Sequence, residues 1–183
     1  MTLANRITLF RLAFIPIFLA LVYGYSPDRE WMRWAALVLY TVGALSDIAD
    51  GYIARHYGQS SKIGARLDPL ADKLMINLGY VFVAANAHFD PGVPLWFPIV
   101  VLGRDLAIVM GAYTINRYFG PVKVQPRAIG KASTVFQNAA LVAVLLQVAL
   151  AYPLLIIALI LTVASFLDYM YAGSRQALQQ KAA

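Results

Sequence analysis

Between residues 8 and 172 the chain runs apolar six times for close to the length that crosses a lipid bilayer. Such a crossing takes about 20 mostly apolar residues in a helix. The runs cover residues 8–25, 34–55, 69–88, 94–116, 131–151 and 152–172, some with polar interruptions. Composition agrees, with 61% hydrophobic and only 13% charged residues, where a soluble domain carries about 25% charged. The pattern predicts an all-α integral membrane protein with six transmembrane helices, forming a single domain over residues 1–183. The last two runs are joined by almost no loop, and Pro153 marks a tight hairpin there. Arg11 and Pro16 interrupt the first run and no clear small-x-small cleavage site follows it. It therefore reads as a retained first membrane helix rather than a signal peptide.

The placement of Lys and Arg orients these helices. Arg55, Lys62 and Arg66 lie between the second and third runs, and Arg117, Lys123, Arg127 and Lys131 between the fourth and fifth. Arg175 and Lys181 follow the sixth, while the connections after the third and fifth runs carry no basic residue. Both termini are therefore expected on the cytoplasmic side. Trp31, Trp34 and Trp96 fall near the opposite ends, as interfacial anchors. The net charge of +6 fits basic cytoplasmic loops against anionic headgroups, and calls for no nucleic acid. With no cysteine, disulfides, thiolate metal sites and cysteine nucleophiles are excluded.

Charge is concentrated where it is most costly. Of nine acidic residues, Asp47, Asp50, Asp68 and Asp72 fall within residues 46–73, between apolar runs. Asp47 and Asp50 are three apart, Asp68 and Asp72 four apart, so each pair shares one helical face. A short hairpin then brings the pairs together. Asp68 before Pro69 reads as a helix N-cap with proline at the first helical position. Gly51 leaves room for a ligand or metal beside Asp50. Four carboxylates in a low dielectric repel unless they protonate or bind hard cations. Oxygen-only ligation suits Mg²⁺, Mn²⁺ or Ca²⁺ rather than zinc. Two pairs suit a two-metal site acting on phosphate, with Arg55 and Lys62 contacting the phosphates. A solvated loop with ordinary helix caps explains Asp68 alone. An ion-coupled transporter would use the same carboxylates.

The motif D-x-x-D-G-x-x-A-R, eight residues, G-x-x-x-D-x-x-x-D resembles the signature of the CDP-alcohol phosphatidyltransferases. It is matched in full at Asp47, Asp50, Gly51, Ala54, Arg55, Gly64, Asp68 and Asp72. The N-terminal N-R-I-T-L-F-R-L also looks like that family's first helix. The resemblance implies the CDP-alcohol phosphotransferase fold, usually a homodimer, with a metal site opening to the cytoplasmic leaflet. It implies that Asp47, Asp50, Asp68 and Asp72 hold two divalent ions, Mg²⁺ or Mn²⁺. It implies further that Gly51, Ala54, Arg55 and Gly64, with Asp47, Asp50 and Asp68, bind the cytidine diphosphate of CDP-diacylglycerol. Asp72 matches the general base. The implied reaction transfers a phosphatidyl group to an alcohol acceptor and releases CMP. A nucleotide-shaped Gly51-x-x-Ala54-Arg55 has no use in a transporter. The short N-terminus, with no arginine-rich presequence, favours a bacterial inner membrane over a mitochondrial one.

The acceptor rests on other residues. Arg104 and Asp105 lie near the middle of the fourth run. Neighbours on a helix point about 100° apart, so the two are expected to serve different partners. An intramembrane arginine is a candidate for the acceptor's phosphate, against a structural ion pair. Lys131 and Arg127 enter the fifth run within V-Q-P-R-A-I-G-K-A-S-T-V-F-Q, where snorkelling is the plainer role for a lysine. L-D-P-L-A-D-K-L, G-R-D-L-A-I and this last stretch look like the CMP-forming cardiolipin synthases. Phosphatidylglycerophosphate synthases, which share much of this, typically carry Arg-Glu where this chain has Arg104-Asp105. Phosphatidylglycerol is therefore the expected acceptor, with glycerol 3-phosphate as the alternative. Asp168 is read as structural, and Gln137 and Asn138 as interhelical hydrogen-bond partners.

Overall fold

A computed structural model describes residues 3–57, 64–118, 120 and 127–182, with side chains at 13–44, 72–118, 120, 127–176 and 178. All regular structure among these residues is helical. Six helices follow in order: α1 (Leu3–Gly24), α2 (Glu30–Tyr57), α3 (Gly64–Ala85), α4 (Trp96–Tyr118), α5 (Ala128–Leu146) and α6 (Ala151–Ala182). A single 3-10 turn at Pro27–Arg29 leads into α2. Among the described residues three stretches are long and apolar enough to cross a membrane: Trp96–Tyr118, Ala128–Leu146 and Ala151–Gln176. The apolar part of α1, Ala13–Gly24, is shorter.

The helices pack α1 against α2 and α3, α5 against α6, α4 against α6 and α3, and α2 against α5. Phe18, Tyr80, Phe97, Val101, Leu141 and Leu145 form the fully buried centre. Apolar residues also cover much of the outside, including Ile99, Leu106, Val109 and Met110 on α4 and Ile160 and Val163 on α6. Water would not tolerate so large an apolar surface on a monomer, whereas lipid does. Trp31, Trp34 and Trp96 are all exposed near the starts of α2 and α4.

Polar side chains inside the bundle are paired across helices. The Tyr40 hydroxyl donates to Asn138 Oδ1 at 2.5 Å, and the Tyr80 hydroxyl to the Gln137 carbonyl at 2.6 Å. Gln137 Nε2 donates to Thr162 Oγ1 at 2.8 Å, so both amides of α5 bond across helices as expected. Asn86 Nδ2 donates to the carbonyls of Val22 at 2.8 Å and Tyr25 at 3.0 Å, satisfying groups freed where α1 ends.

Three expectations shift. The third helix begins at Gly64, so Asp68 and Pro69 lie inside α3 and Asp68 is not its N-cap. That helix ends at Ala85 rather than His88, because Asn86 leaves the helix to cap α1. The last helix runs on to Ala182, ten residues beyond the apolar run, on polar residues of good helix propensity. The tight α5–α6 hairpin is present. Gln147 closes α5 in the left-handed region at φ 54°, with Val148 N donating to Ala143 O and Gln147 N to Val144 O.

Close approach at the centre of the bundle depends on Gly79. A Cβ there would lie 3.0 Å from Leu141 Cδ2 and 3.1 Å from Phe18 Cε1. Gly79→Val is expected to destabilise by about 1–3 kcal/mol through overpacking. Gly111→Ala, with nothing within 4 Å, should leave stability unchanged or slightly raised. Thermal unfolding midpoints in detergent check the contrast.

Candidate active site

The third and fifth helices both start at the end of the bundle where α2 and α4 finish. A cavity of about 1160 Å³ lies there, walled by all the helices except α1. Asp72, Lys73, Arg104, Asp105, Arg127 and Lys131 form its charged part. Its α5 wall runs from Gly130 to Val142, about 18 Å of helix. Away from the charges the lining turns apolar, through Leu78 on α3, Leu102 on α4, and Val135, Ala139 and Val142 on α5. The cavity is thus amphipathic, with a charged end and a greasy end.

Five residues singled out from sequence meet in this one cavity: Asp72, Arg104, Asp105, Arg127 and Lys131. Arg104 and Asp105 pair with each other, and each also keeps different partners of its own. Arg104 Nη1 donates to Asp105 Oδ1 at 2.7 Å. The backbone turns 100° between neighbours, but the long arginine side chain folds back across that angle. Asp105 also accepts from Lys73 Nζ at 2.9 Å on both oxygens, and from Asn77 Nδ2 at 3.3 Å. One carboxylate therefore gathers two cations and an amide from two helices.

Arg104 is buried and held through both terminal nitrogens. Its Nη2 donates to Ser165 Oγ, and its guanidinium carbon lies 5.8 Å from the centre of the Tyr169 ring. Gly130 admits this arrangement, since a Cβ there would sit 3.3 Å from Arg104 Nη2, Ser165 Oγ and Tyr169 Cε2. Arg104 Nε is enclosed without a protein partner. Arg127 is paired through Nε to Asp168, which bears out the structural reading of that aspartate, and its backbone N–H donates to the Tyr169 hydroxyl at 3.3 Å. Lys131 is exposed to the cavity, and among the described residues its ammonium has no ion pair or hydrogen bond.

Lys73, Asn77, Gly130, Ser165 and Tyr169 belong to this site although the sequence reading assigned them no role. Lys73 and Asn77 sit four apart in an apolar helix, a spacing that could have marked them. Nothing in the sequence marks Ser165.

Asp47, Asp50, Gly51, Ala54 and Arg55 fall within α2, and Gly64 and Asp68 within α3. Their side chains lie outside the described residues, as does Lys62 entirely. Both aspartate pairs nonetheless occur in continuous helix, where three- and four-residue spacings share a face. Gly43 of α2 meets Met75 of α3, with a hypothetical Cβ 3.2 Å from the methionine Cε. Among the described side chains no cluster of three metal-ligating residues occurs.

The sequence profile of the CDP-alcohol phosphatidyltransferase family matches residues 1–164. The CDP-diacylglycerol–glycerol-3-phosphate 3-phosphatidyltransferase of Aquifex aeolicus is 32% identical over 192 residues, covering 98% of this chain and all of that relative. The enzyme of the same name from Blochmanniella floridana is 29% identical over 184 residues, covering 96% of this chain and 92% of its own length. A probable phosphatidylglycerophosphate synthase of Mycobacterium tuberculosis is 35% identical over 109 residues, 59% of this chain and 50% of the relative.

Proposed function

Since the chain belongs to the CDP-alcohol phosphatidyltransferase family and is a phospholipid-synthesising enzyme, we propose that its acceptor is glycerol 3-phosphate. The product would be phosphatidylglycerophosphate, with CMP released. The carrying observation is the gathering of Arg104, Lys73 and Lys131 beside Asp72 in one cavity. A phosphate monoester brings up to two negative charges, and a cluster of cations suits it better than the single charge of phosphatidylglycerol. The full-length relatives named for glycerol 3-phosphate support the same choice. This replaces phosphatidylglycerol as the expected acceptor.

In this reading Lys131 receives the acceptor's phosphate first, since it has no competing carboxylate among the described residues. Arg104 offers its enclosed Nε edge, already oriented by Asp105 and Ser165. Asp105 serves as counter-ion to Lys73 and Arg104 and does not itself touch the phosphate. Arg127, tied to Asp168, closes the rim. With its phosphate held there, the acceptor's free hydroxyl lies toward Asp72. The hydroxyl oxygen attacks the phosphorus bonded to diacylglycerol, its proton passes to the Asp72 carboxylate, and the bond from that phosphorus to the CMP oxygen breaks. The apolar wall toward Val142 takes lipid chain.

The donor half of the site is carried by the aspartate motif. The approach of Gly43 on α2 to Met75 on α3 supports bringing the two aspartate pairs together. An all-carboxylate donor set fits hard divalent cations, so Asp47, Asp50, Asp68 and Asp72 would hold two ions, Mg²⁺ or Mn²⁺. Bound there, the ions would supply charge neutralisation for the donor's pyrophosphate. Gly51, Ala54, Arg55 and Gly64 would complete the cytidine diphosphate site. Six membrane spans, both termini and the active site at the cytoplasmic face of a bacterial inner membrane, and a homodimer complete the proposal. The basic residues clustered where α2 and α4 end support that orientation.

Product analysis tests the acceptor. Purified protein given CDP-diacylglycerol, Mg²⁺ and both candidate acceptors should make phosphatidylglycerophosphate. Cardiolipin as the main product would overturn the assignment.

A further inference from the structure

A phosphate-binding cluster identifies one end of an acceptor, but glycerol 3-phosphate also carries a secondary hydroxyl that does not react. Cations cannot read a hydroxyl hydrogen. A hydrogen-bond acceptor must do it, and two of those on the cavity wall are already taken. Asp105 is filled by Lys73, Arg104 and Asn77, and Asn138 Oδ1 accepts from Tyr40. Asn77 Oδ1 is different. The residue lines the cavity at 6% exposure, and this oxygen has no hydrogen-bond partner.

Its identity as oxygen is fixed by chemistry. Amide nitrogen and oxygen are easily exchanged in assignment, and neighbours decide between them. Here the neighbour is Asp105 Oδ2 at 3.3 Å, and an ionised carboxylate held by Lys73 and Arg104 only accepts. The NH₂ must therefore face Asp105, leaving the carbonyl as the unpaired group. An enclosed, unpartnered carbonyl is unfavourable, and a hydroxyl donor from a bound ligand would relieve it.

We propose that Asn77 is a specificity-determining residue whose Oδ1 accepts a hydrogen bond from the non-reacting C2 hydroxyl of the acceptor's glycerol unit. Asp105 thus has two tasks, holding Arg104 and Lys73 as cations and turning the Asn77 carbonyl away from itself. The inference rests on glycerol 3-phosphate being the acceptor.

The experiment compares glycerol 3-phosphate with 3-hydroxypropyl phosphate, which lacks only that hydroxyl. The ratio of their kcat/KM values is independent of how much protein is correctly folded. Wild type should favour glycerol 3-phosphate by about 10- to 100-fold. Asn77→Leu, close in shape but without the amide, should bring the ratio to within about 3-fold, through loss on glycerol 3-phosphate. Asn77→Ala should do the same and serves if the leucine variant does not fold. A structural role for Asn77 would lower both substrates equally and preserve the ratio, which overturns the inference. An equal preference in wild type overturns it too. No turnover of glycerol 3-phosphate by wild type removes the acceptor assignment, and this inference with it.

Discussion

Asp72→Asn is expected to lower phosphatidyl transfer by about 10³-fold or more, measured as kcat at saturating donor and acceptor. General-base catalysis alone is worth about 10²–10⁴-fold. The amide keeps the shape of the side chain but takes up no proton and ligates a cation less well. Asp72 lies in the third turn of α3, at the charged end of the cavity that also holds Arg104 and Lys131. Removing it should therefore affect chemistry more than the acceptor's KM. Turnover within about 10-fold of wild type would remove Asp72 from the base role.

Arg104→Gln is expected to reduce kcat/KM for the acceptor by about 10²–10⁴-fold with little change in the KM for CDP-diacylglycerol. Hydrogen bonds to charged groups contribute about 1.5–3 kcal/mol each, and two are lost. Arg104→Lys should recover only a small part. A lysine cannot reach Asp105 and Ser165 while also presenting an Nε edge. A matching loss in donor KM would instead place Arg104 in the donor site.

The family of this protein was legible in the sequence because its motif is local. Asp47 to Asp72 spans 26 residues at helical spacings, and those spacings survive folding whatever the rest of the chain does. Helix count and the exposed tryptophans followed from run length and interfacial preference for the same reason. The acceptor half was only partly legible. Arg104 and Lys131 stood out as charges in or beside apolar helices, and they do share a cavity. What they bond to did not stand out, since Lys73 to Asp105 and Arg104 to Ser165 are contacts between helices distant in sequence.

Asp105 shows why the sequence and the relatives point to different acceptors. Aspartate rather than glutamate at this position suggested phosphatidylglycerol. In the fold its carboxylate is spent on Lys73, Arg104 and Asn77, so its length answers to the distance between α3 and α4. The choice between the two acids reports on packing and says little about the acceptor. The helix start at Gly64 was missed for a simpler reason. Asp-Pro is a strong N-cap signal, but a proline five residues into a helix still leaves the preceding turn able to form.

The central claim is tested most directly by CMP release from CDP-diacylglycerol in a single purified preparation with Mg²⁺ or Mn²⁺. Release should be negligible without acceptor, rise steeply with glycerol 3-phosphate, and stop when the metal is chelated. Release that phosphatidylglycerol supports and glycerol 3-phosphate does not would contradict the account.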